Sequence, residues 1–227
     1  MKLGDKDWSC PKKQKARQET IISPYRETFD LSLPADRQYW TLCGQCSTDD
    51  RKPLVGCELW QMTDSDLIVA SQFYGVEINP EIHAFNVAAF PGMNWYNDDF
   101  YHAMVSAQAK GQFNPGIVNC DLPRMPNGGG AAYVAKIMAF LTDCTKDVMF
   151  VSNFILKIRN HPVQDGEAIV SLLGGLPQFR RAMEEGNWSL VKTYSYEGTE
   201  KSARSWMGSL VFIKKDINYA GLSCRFH

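Results

Sequence analysis

The sequence predicts an α/β fold: three layers, with a seven-stranded, mostly parallel sheet whose last strand runs antiparallel. Three observations carry this expectation. Strand-like and helix-like segments alternate five times along the chain. Two further strand segments, Trp188–Tyr196 and Met207–Lys214, then come without a helix between them. Their connection of about ten residues is long enough for a hairpin and too short for a helical crossover. Finally, polar residues gather at the C-terminal ends of four strand segments, where open α/β sheets bind their ligands.

Taken in order, residues 1–37 read as a polar N-terminal appendage. Lys12, Lys13, Lys15 and Arg17 form a basic cluster there, with Lys2 and Lys6 nearby. Gln14–Ile22 fits a short helix, and Pro24 and Pro34 are expected to break the chain beyond it. Such a segment is either simply solvated or a basic arm that meets phosphates. Tyr39–Leu42 is the first strand, and it ends in Cys43-Gly44-Gln45-Cys46-Ser47, small residues that let backbone approach a ligand. Pro53–Met62 reads as a helix with Leu54, Cys57, Leu59 and Trp60 as apolar positions, and Thr63–Asp66 as a turn.

The stretch Gln72–Asn86 organises the rest. Phe73, Tyr74, Val76 and Ile78 are strand formers, Asn79-Pro80 punctuates, and Ile82, Phe85 and Ala89 fall at helical spacing. This places one carboxylate, Glu77, at a strand's C-terminal end, either as a solvated acid or as an acceptor for both hydroxyls of a ribose. Met93–Tyr96 is a short strand followed by Asn97-Asp98-Asp99-Phe100-Tyr101, and His102–Ala109 is helical. Ile117–Cys120 is a compact strand ending in Asp121-Leu122-Pro123-Arg124. Ala131–Leu141 is the clearest helix, with Val134, Ile137, Met138 and Leu141 on one face. Val148–Leu156 is an apolar strand ending in Lys157, and Glu167–Glu185 is helical with an interruption at Gly174-Gly175 and Pro177. The two final strands complete a main domain over 38–215, and 216–227 is a tail.

Composition narrows the class. The chain has 227 residues, 44% hydrophobic and 22% charged, with a formal net charge of −1. That is ordinary for a protein with a real core and gives no global basic field. Seven cysteines, an odd number scattered through apolar segments, read as reduced cytoplasmic thiols. Cys43 and Cys46 form a C-x-x-C pair, but no second ligand pair accompanies them, so no metal is expected. No run approaches the ~18 apolar residues of a membrane span, so no membrane partner is expected.

The layout resembles the class I S-adenosylmethionine-dependent methyltransferases, Rossmann-like enzymes whose seven-stranded sheet has a reversed last strand. Tyr74-Gly75-Val76-Glu77-Ile78-Asn79-Pro80 is similar to the family's second motif. The resemblance implies S-adenosylmethionine as cofactor. It assigns the ribose hydroxyls to Glu77, beside Ile78, and the adenine amine to Asp99 or its neighbour Asp98, followed by Phe100. It lays Cys43-Gly44-Gln45 against the methionine part. Cys46 stands near the usual second glycine, where a side chain crowds the cofactor.

Asp121-Leu122-Pro123-Arg124 sits where amino-methyltransferases carry Asp/Asn-Pro-Pro-Tyr/Phe, so Asp121 would orient an acceptor and Pro123 would shape the pocket floor. Arg124 replaces the stacking aromatic and would stack on a base or grip a phosphate. Ribose 2′-O-methyltransferases are similar in pairing such an acid with a lysine after the fifth strand, here Lys157. Their glutamate near the last strand is missing, since Trp206-Met207-Gly208 stands there. Nucleic acid is the expected partner, with Trp95, Tyr101 and Trp206 as stacking candidates, and Lys12–Arg17 and Arg180-Arg181 to hold the backbone. Two rivals remain. One is a silent methyltransferase fold serving as a binding or assembly subunit, with a protein partner or a second copy of the chain. The other is an NAD-linked enzyme, which also suits Glu77 but lacks its glycine-rich fingerprint here.

Overall fold

A computed structural model of the chain describes residues 11–43, 58–121, 129–143, 147–157, 170–171, 173–197 and 206–215. Its seven strands are β1 (Gln38–Leu42), β2 (Phe73–Val76), β3 (Asn94–Tyr96), β4 (Pro115–Asp121), β5 (Val148–Lys157), β6 (Trp188–Glu197) and β7 (Trp206–Lys214). They form one sheet in the order β3-β2-β1-β4-β5-β7-β6. β1 pairs in parallel with β2 and β4, β2 with β3, and β4 with β5. β7 pairs antiparallel with β5 on one side and β6 on the other, so it alone is reversed. The expected seven strands and their directions are all present. Pro115–Cys120 is buried throughout, as a central parallel strand covered on both faces must be.

The helical pieces that flank the sheet are α1 (Pro11–Arg17), a π-turn (Gln18–Ile22), α2 (Ser23–Thr28), α3 (Glu58–Asp64), α4 (Pro80–Ala89), α5 (Phe100–Ala109), α6 (Gly130–Thr142) and α7 (Pro177–Glu185). One core lies between the sheet and α5, α6 and α7, where Trp40, Val118 and Phe150 meet Met104, Val134, Met138 and Phe179. The other lies under the N-terminal segment and α3, where Tyr39, Phe73, Ile117 and Val151 meet Ile21, Ile22, Tyr25 and Leu59. Strand alternation sends successive side chains to opposite cores. Asn79 caps α4, accepting from Glu81 N at 2.9 Å, with Pro80 in the first turn. Asp99 caps α5, accepting from Tyr101 N at 3.0 Å.

The structure corrects several expectations. Residues 11–37, expected as a polar appendage, place Ile21, Ile22, Tyr25 and Leu33 in the second core. Gln72 Nε2 ties them down further, donating to the carbonyls of Pro34 at 2.6 Å and Arg37 at 3.1 Å. Pro24 does not break the helical run. It falls in the first turn of α2, after a π-turn in which Ser23 N reaches back to Gln18 O, and that wider turn accommodates the missing N–H. The expected stripe Ile82, Phe85 and Ala89 does not face the core. Asn86 is the buried residue of α4, and Phe85 is 39% exposed. α3 runs on to Asp64, with Leu59 and Met62 buried and Trp60 outward, and Leu54 and Cys57 lie outside the described residues. The expected tail, 216–227, also lies outside them.

Candidate functional site

The parallel strands β3, β2, β1 and β4 bring their C-terminal ends to one rim, with the direction of winding reversing between β1 and β4. Backbone hydrogen bonds continue past the strands and lock the tips together. Cys43 N donates to Val76 O at 3.0 Å and Glu77 N to Tyr96 O at 3.0 Å. Asn97 Nδ2 donates to Glu77 O at 2.8 Å and to Ile78 O at 3.2 Å. Cys43, Glu77, Ile78, Asp98, Asp99 and Asp121 therefore share an edge, as their positions in the sequence predict.

Their states differ. Glu77 is half-buried, and burial pushes its carboxyl above the usual glutamate range against hydrogen bonds from the Asn79 and Ile78 amides. Ile78 is 69% exposed, a large apolar side chain left on the rim beside that acid. Asp98 is exposed, its Oδ1 accepting from Asp99 N at 2.7 Å. The Asp99 carboxylate is occupied by its capping role and by Tyr133 Oη, which donates to it at 2.9 Å. Phe100 is buried in the first core. A half-buried acid, an exposed apolar side chain and an exposed acid on adjacent tips fit the ribose and adenine of an adenosyl cofactor.

Two of the stacking candidates, Trp95 and Tyr101, are engaged elsewhere. The Trp95 ring lies across Gly75, whose missing Cβ leaves the room it fills, and Trp95 Nε1 donates to Phe90 O at 3.1 Å. Tyr101 packs edge-on against Phe140 with Lys136 Nζ 3.7 Å from its ring centre. Gly44, Gln45, Cys46, Pro123 and Arg124 lie outside the described residues, as do the side chains of Lys157 and Trp206. Arg180 and Arg181 are exposed on α7, which packs on the opposite face of the sheet from α1, and Arg181 Nε holds Glu185 at 2.7 Å.

Beyond the switch point the site is built on a polar chain. Tyr39 Oη donates to Glu58 Oε1 at 2.6 Å, and Asn119 Nδ2 donates to the same oxygen at 2.9 Å. Asn153 Nδ2 donates to Asn119 Oδ1 at 3.1 Å, and Ser209 Oγ donates to Asn153 Oδ1. The chain crosses β1, β4, β5 and β7 on the second face, with Asn119 one step below Asp121 on β4 and Asn153 level with Asp121 on β5. Burial and the neighbouring Glu58 carboxylate hold the Tyr39 phenol well above its usual range. α1 lies over this end: Arg17 Nε is 3.5 Å from Glu58 Oε2, and Lys13 Nζ is 3.7 Å from Asp121 Oδ2. Beneath it a crevice lined by Lys13, Arg17, Asn119, Asp121, Asn153 and Tyr196 keeps a cavity of about 20 Å³, the room of one water. Asn119, Asn153 and Tyr196 were not singled out from the sequence. The signal for the first two was an amide inside an otherwise apolar strand.

Strand order, the single reversed strand and the acidic rim give the chain the fold of the class I S-adenosylmethionine-dependent methyltransferases. Among solved structures it is similar to M. jannaschii TYW2, solved in complex with AdoMet, at 10% identity and a TM-score of 0.51, over 94% of this chain and 79% of that one. A likeness to the METTL16 methyltransferase domain is weaker, at 11% identity and a TM-score of 0.46, over 87% of this chain and 65% of that one. No family model matches the sequence, and no curated protein matches it. Among the described residues no helix is long and apolar enough to cross a membrane.

Proposed function

We propose that the protein is an S-adenosylmethionine-dependent methyltransferase acting on nucleic acid, at a base amine or a ribose hydroxyl. One observation supports this above the rest: Glu77 stands half-buried on the tip next to the switch point, with exposed Ile78 and Asp98 at its sides. When bound, the cofactor supplies a sulfonium methyl group open to direct displacement. Glu77 accepts from the ribose hydroxyls. Ile78 covers the adenine ring, and Asp98 accepts from its amine. Asp99 serves by holding the turn, since its carboxylate is engaged with α5 and Tyr133. Cys43, followed by Gly44 and Gln45, borders the methionine part. Asp121 would orient the acceptor's amine or hydroxyl, and such positioning would carry much of the rate. By the family resemblance, Pro123 would shape the pocket floor, Arg124 would stack on a base or grip a phosphate, and Lys157 would assist if the acceptor is a hydroxyl. Calorimetric titration with S-adenosylmethionine tests the reading: wild type binds, and Glu77→Ala binds at least tenfold more weakly, the loss of about 1.5–3 kcal/mol expected for a charged hydrogen-bond acceptor. Equal binding by the two proteins removes Glu77 from the site.

A second reading has its own observation. The acceptor end is closed by α1, with room for one water. A fold that had lost its reaction and serves as a binding or assembly subunit would tolerate such a plug. Absence of any heat or thermal shift with S-adenosylmethionine would select it.

A further inference from the structure

We propose that Lys13 and Arg17 form a phosphate-operated gate over the acceptor crevice: a phosphate of a single-stranded nucleic acid replaces Asp121 as the partner of Lys13 and thereby releases Asp121 to the acceptor. The inference rests on the reading of Asp121 as the acceptor-orienting residue.

Among the described residues the crevice holds about one water, so a nucleotide reaches Asp121 from beneath α1 only if that helix gives way. The contacts that hold α1 include two ion pairs, Lys13 to Asp121 and Arg17 to Glu58, and one hydrogen bond, Gln61 Nε2 to Gln14 O at 2.7 Å, with little apolar burial. Lys12 and Lys15 are exposed, Lys13, Gln14 and Arg17 are partly so, and Ala16 is the buried apolar side chain of its face. The next turns are anchored very differently, with Ile21, Ile22 and Tyr25 deep in the second core. The change of anchoring falls within the π-turn Gln18–Ile22, whose last two residues are the first of those anchors, and such a turn is a natural place for the helix to bend.

Lys13 and Arg17, four residues apart, share one helix face and point into the crevice. The Lys13–Asp121 pair is long, at 3.7 Å, and both side chains are partly exposed, at 19% and 25%. Such a pair holds weakly, and a phosphate competes with it directly. The deeper pair opens at a cost, which two hydrogen bonds reduce: when Arg17 leaves, Glu58 keeps those from Tyr39 and Asn119. While Lys13 sits on Asp121, that acid is not available to orient an acceptor. Exchange of the partner therefore couples arrival of a phosphate to readiness of the site. Lys12 and Lys15, on the outer face of the same helix, add attraction for a polyanion.

The test is a double-mutant cycle read by fluorescence anisotropy with a labelled 12-nucleotide single strand, made once as RNA and once as DNA. Asp121→Asn removes the internal competitor and is expected to tighten binding about two- to fivefold, the range a part-exposed ion pair spans. In the Lys13→Gln background the same change is expected to have no effect, because nothing is left to release. A gain of equal size in both backgrounds is ordinary relief of charge repulsion and overturns the gate. So does no gain in either, or a wild type that binds neither strand. Melting curves of each variant confirm that it is folded. Titration with S-adenosylmethionine runs alongside. Coupling without cofactor binding keeps the gate and removes the methyltransferase, whereas cofactor binding without coupling does the reverse.

Discussion

Replacing Glu58 with alanine is expected to cost about 3–5 kcal/mol of stability, because one carboxylate serves three partners. Tyr39 is completely buried and Asn119 nearly so, and both donate to Glu58 Oε1. Without that acceptor, the Tyr39 hydroxyl loses the oxygen it donates to, and the Asn119 amide nitrogen keeps only a 3.4 Å contact with Thr41 Oγ1. Each buried polar group left unpaired costs roughly 1–3 kcal/mol. Arg17 also loses its largely buried counter-charge, a further loss of about 1–2 kcal/mol. The measurement is the urea midpoint at constant slope, with a fall in Tm of roughly 10 °C as a second readout for a chain of this size. Glu58→Gln is the control. It keeps an acceptor oxygen for Tyr39 and Asn119 and loses only the charge facing Arg17, so about 1–2 kcal/mol is expected. If alanine costs no more than glutamine, the polar chain does not organise the second face, and the placement of Asn119 and Asn153 under Asp121 loses its support.

Two other outcomes concern the rim itself. Burial raises the Glu77 carboxyl above the usual glutamate range, so the folded protein holds a proton that the unfolded chain has released, and this acid's contribution falls as pH rises from the unfolded value through the folded one. Glu77→Gln should therefore melt higher than wild type at pH 7, with the difference shrinking toward pH 4, and should bind S-adenosylmethionine less well; a difference in Tm that is independent of pH contradicts the burial argument. Gly75→Ala drives a Cβ into the Trp95 ring and should destabilise by about 1–3 kcal/mol in a denaturant titration, and an unchanged midpoint would mean that the ring does not lie across the strand.

The sheet was legible because burial on both faces leaves a plain trace. Ile117–Cys120 and Val148–Leu156 are apolar runs bounded by turn residues, and the short link before β7 fixes its direction. Glu77 was legible because strand, turn and Asn79 cap succeed one another directly around it. α4 was misread because periodicity shows that a face exists but not which way it turns. β2 and β3 beside it are only four and three residues long, and they offer that face little surface to cover. Lys12–Arg17 and the prolines made the N-terminus look solvated. The apolar Ile21, Ile22 and Tyr25 outweigh them, and their partners Tyr39, Ile117 and Val151 are distant in sequence. The same distance hid the polar chain. Asn119 and Asn153 are amides in apolar strands, a signal that was passed over, and Glu58 and Arg17 meet them only through the fold.

The two halves of the rim are held by different forces, and the difference suits a reaction with two ligands. On the β1–β3 side, the tips are fixed by backbone hydrogen bonds from Cys43 to Val76 and from Glu77 to Tyr96. A ligand cannot exchange with those bonds without unravelling the sheet, so the site proposed there for an adenosyl group would be preformed. On the β4 side, the cover is tied by Lys13 to Asp121 and by Arg17 to Glu58. The first of these, with both side chains partly exposed, is open to replacement by another anion. On the proposed reading, the cofactor half would stay rigid while the acceptor half opens to a phosphate-bearing strand that supplies the competing charge.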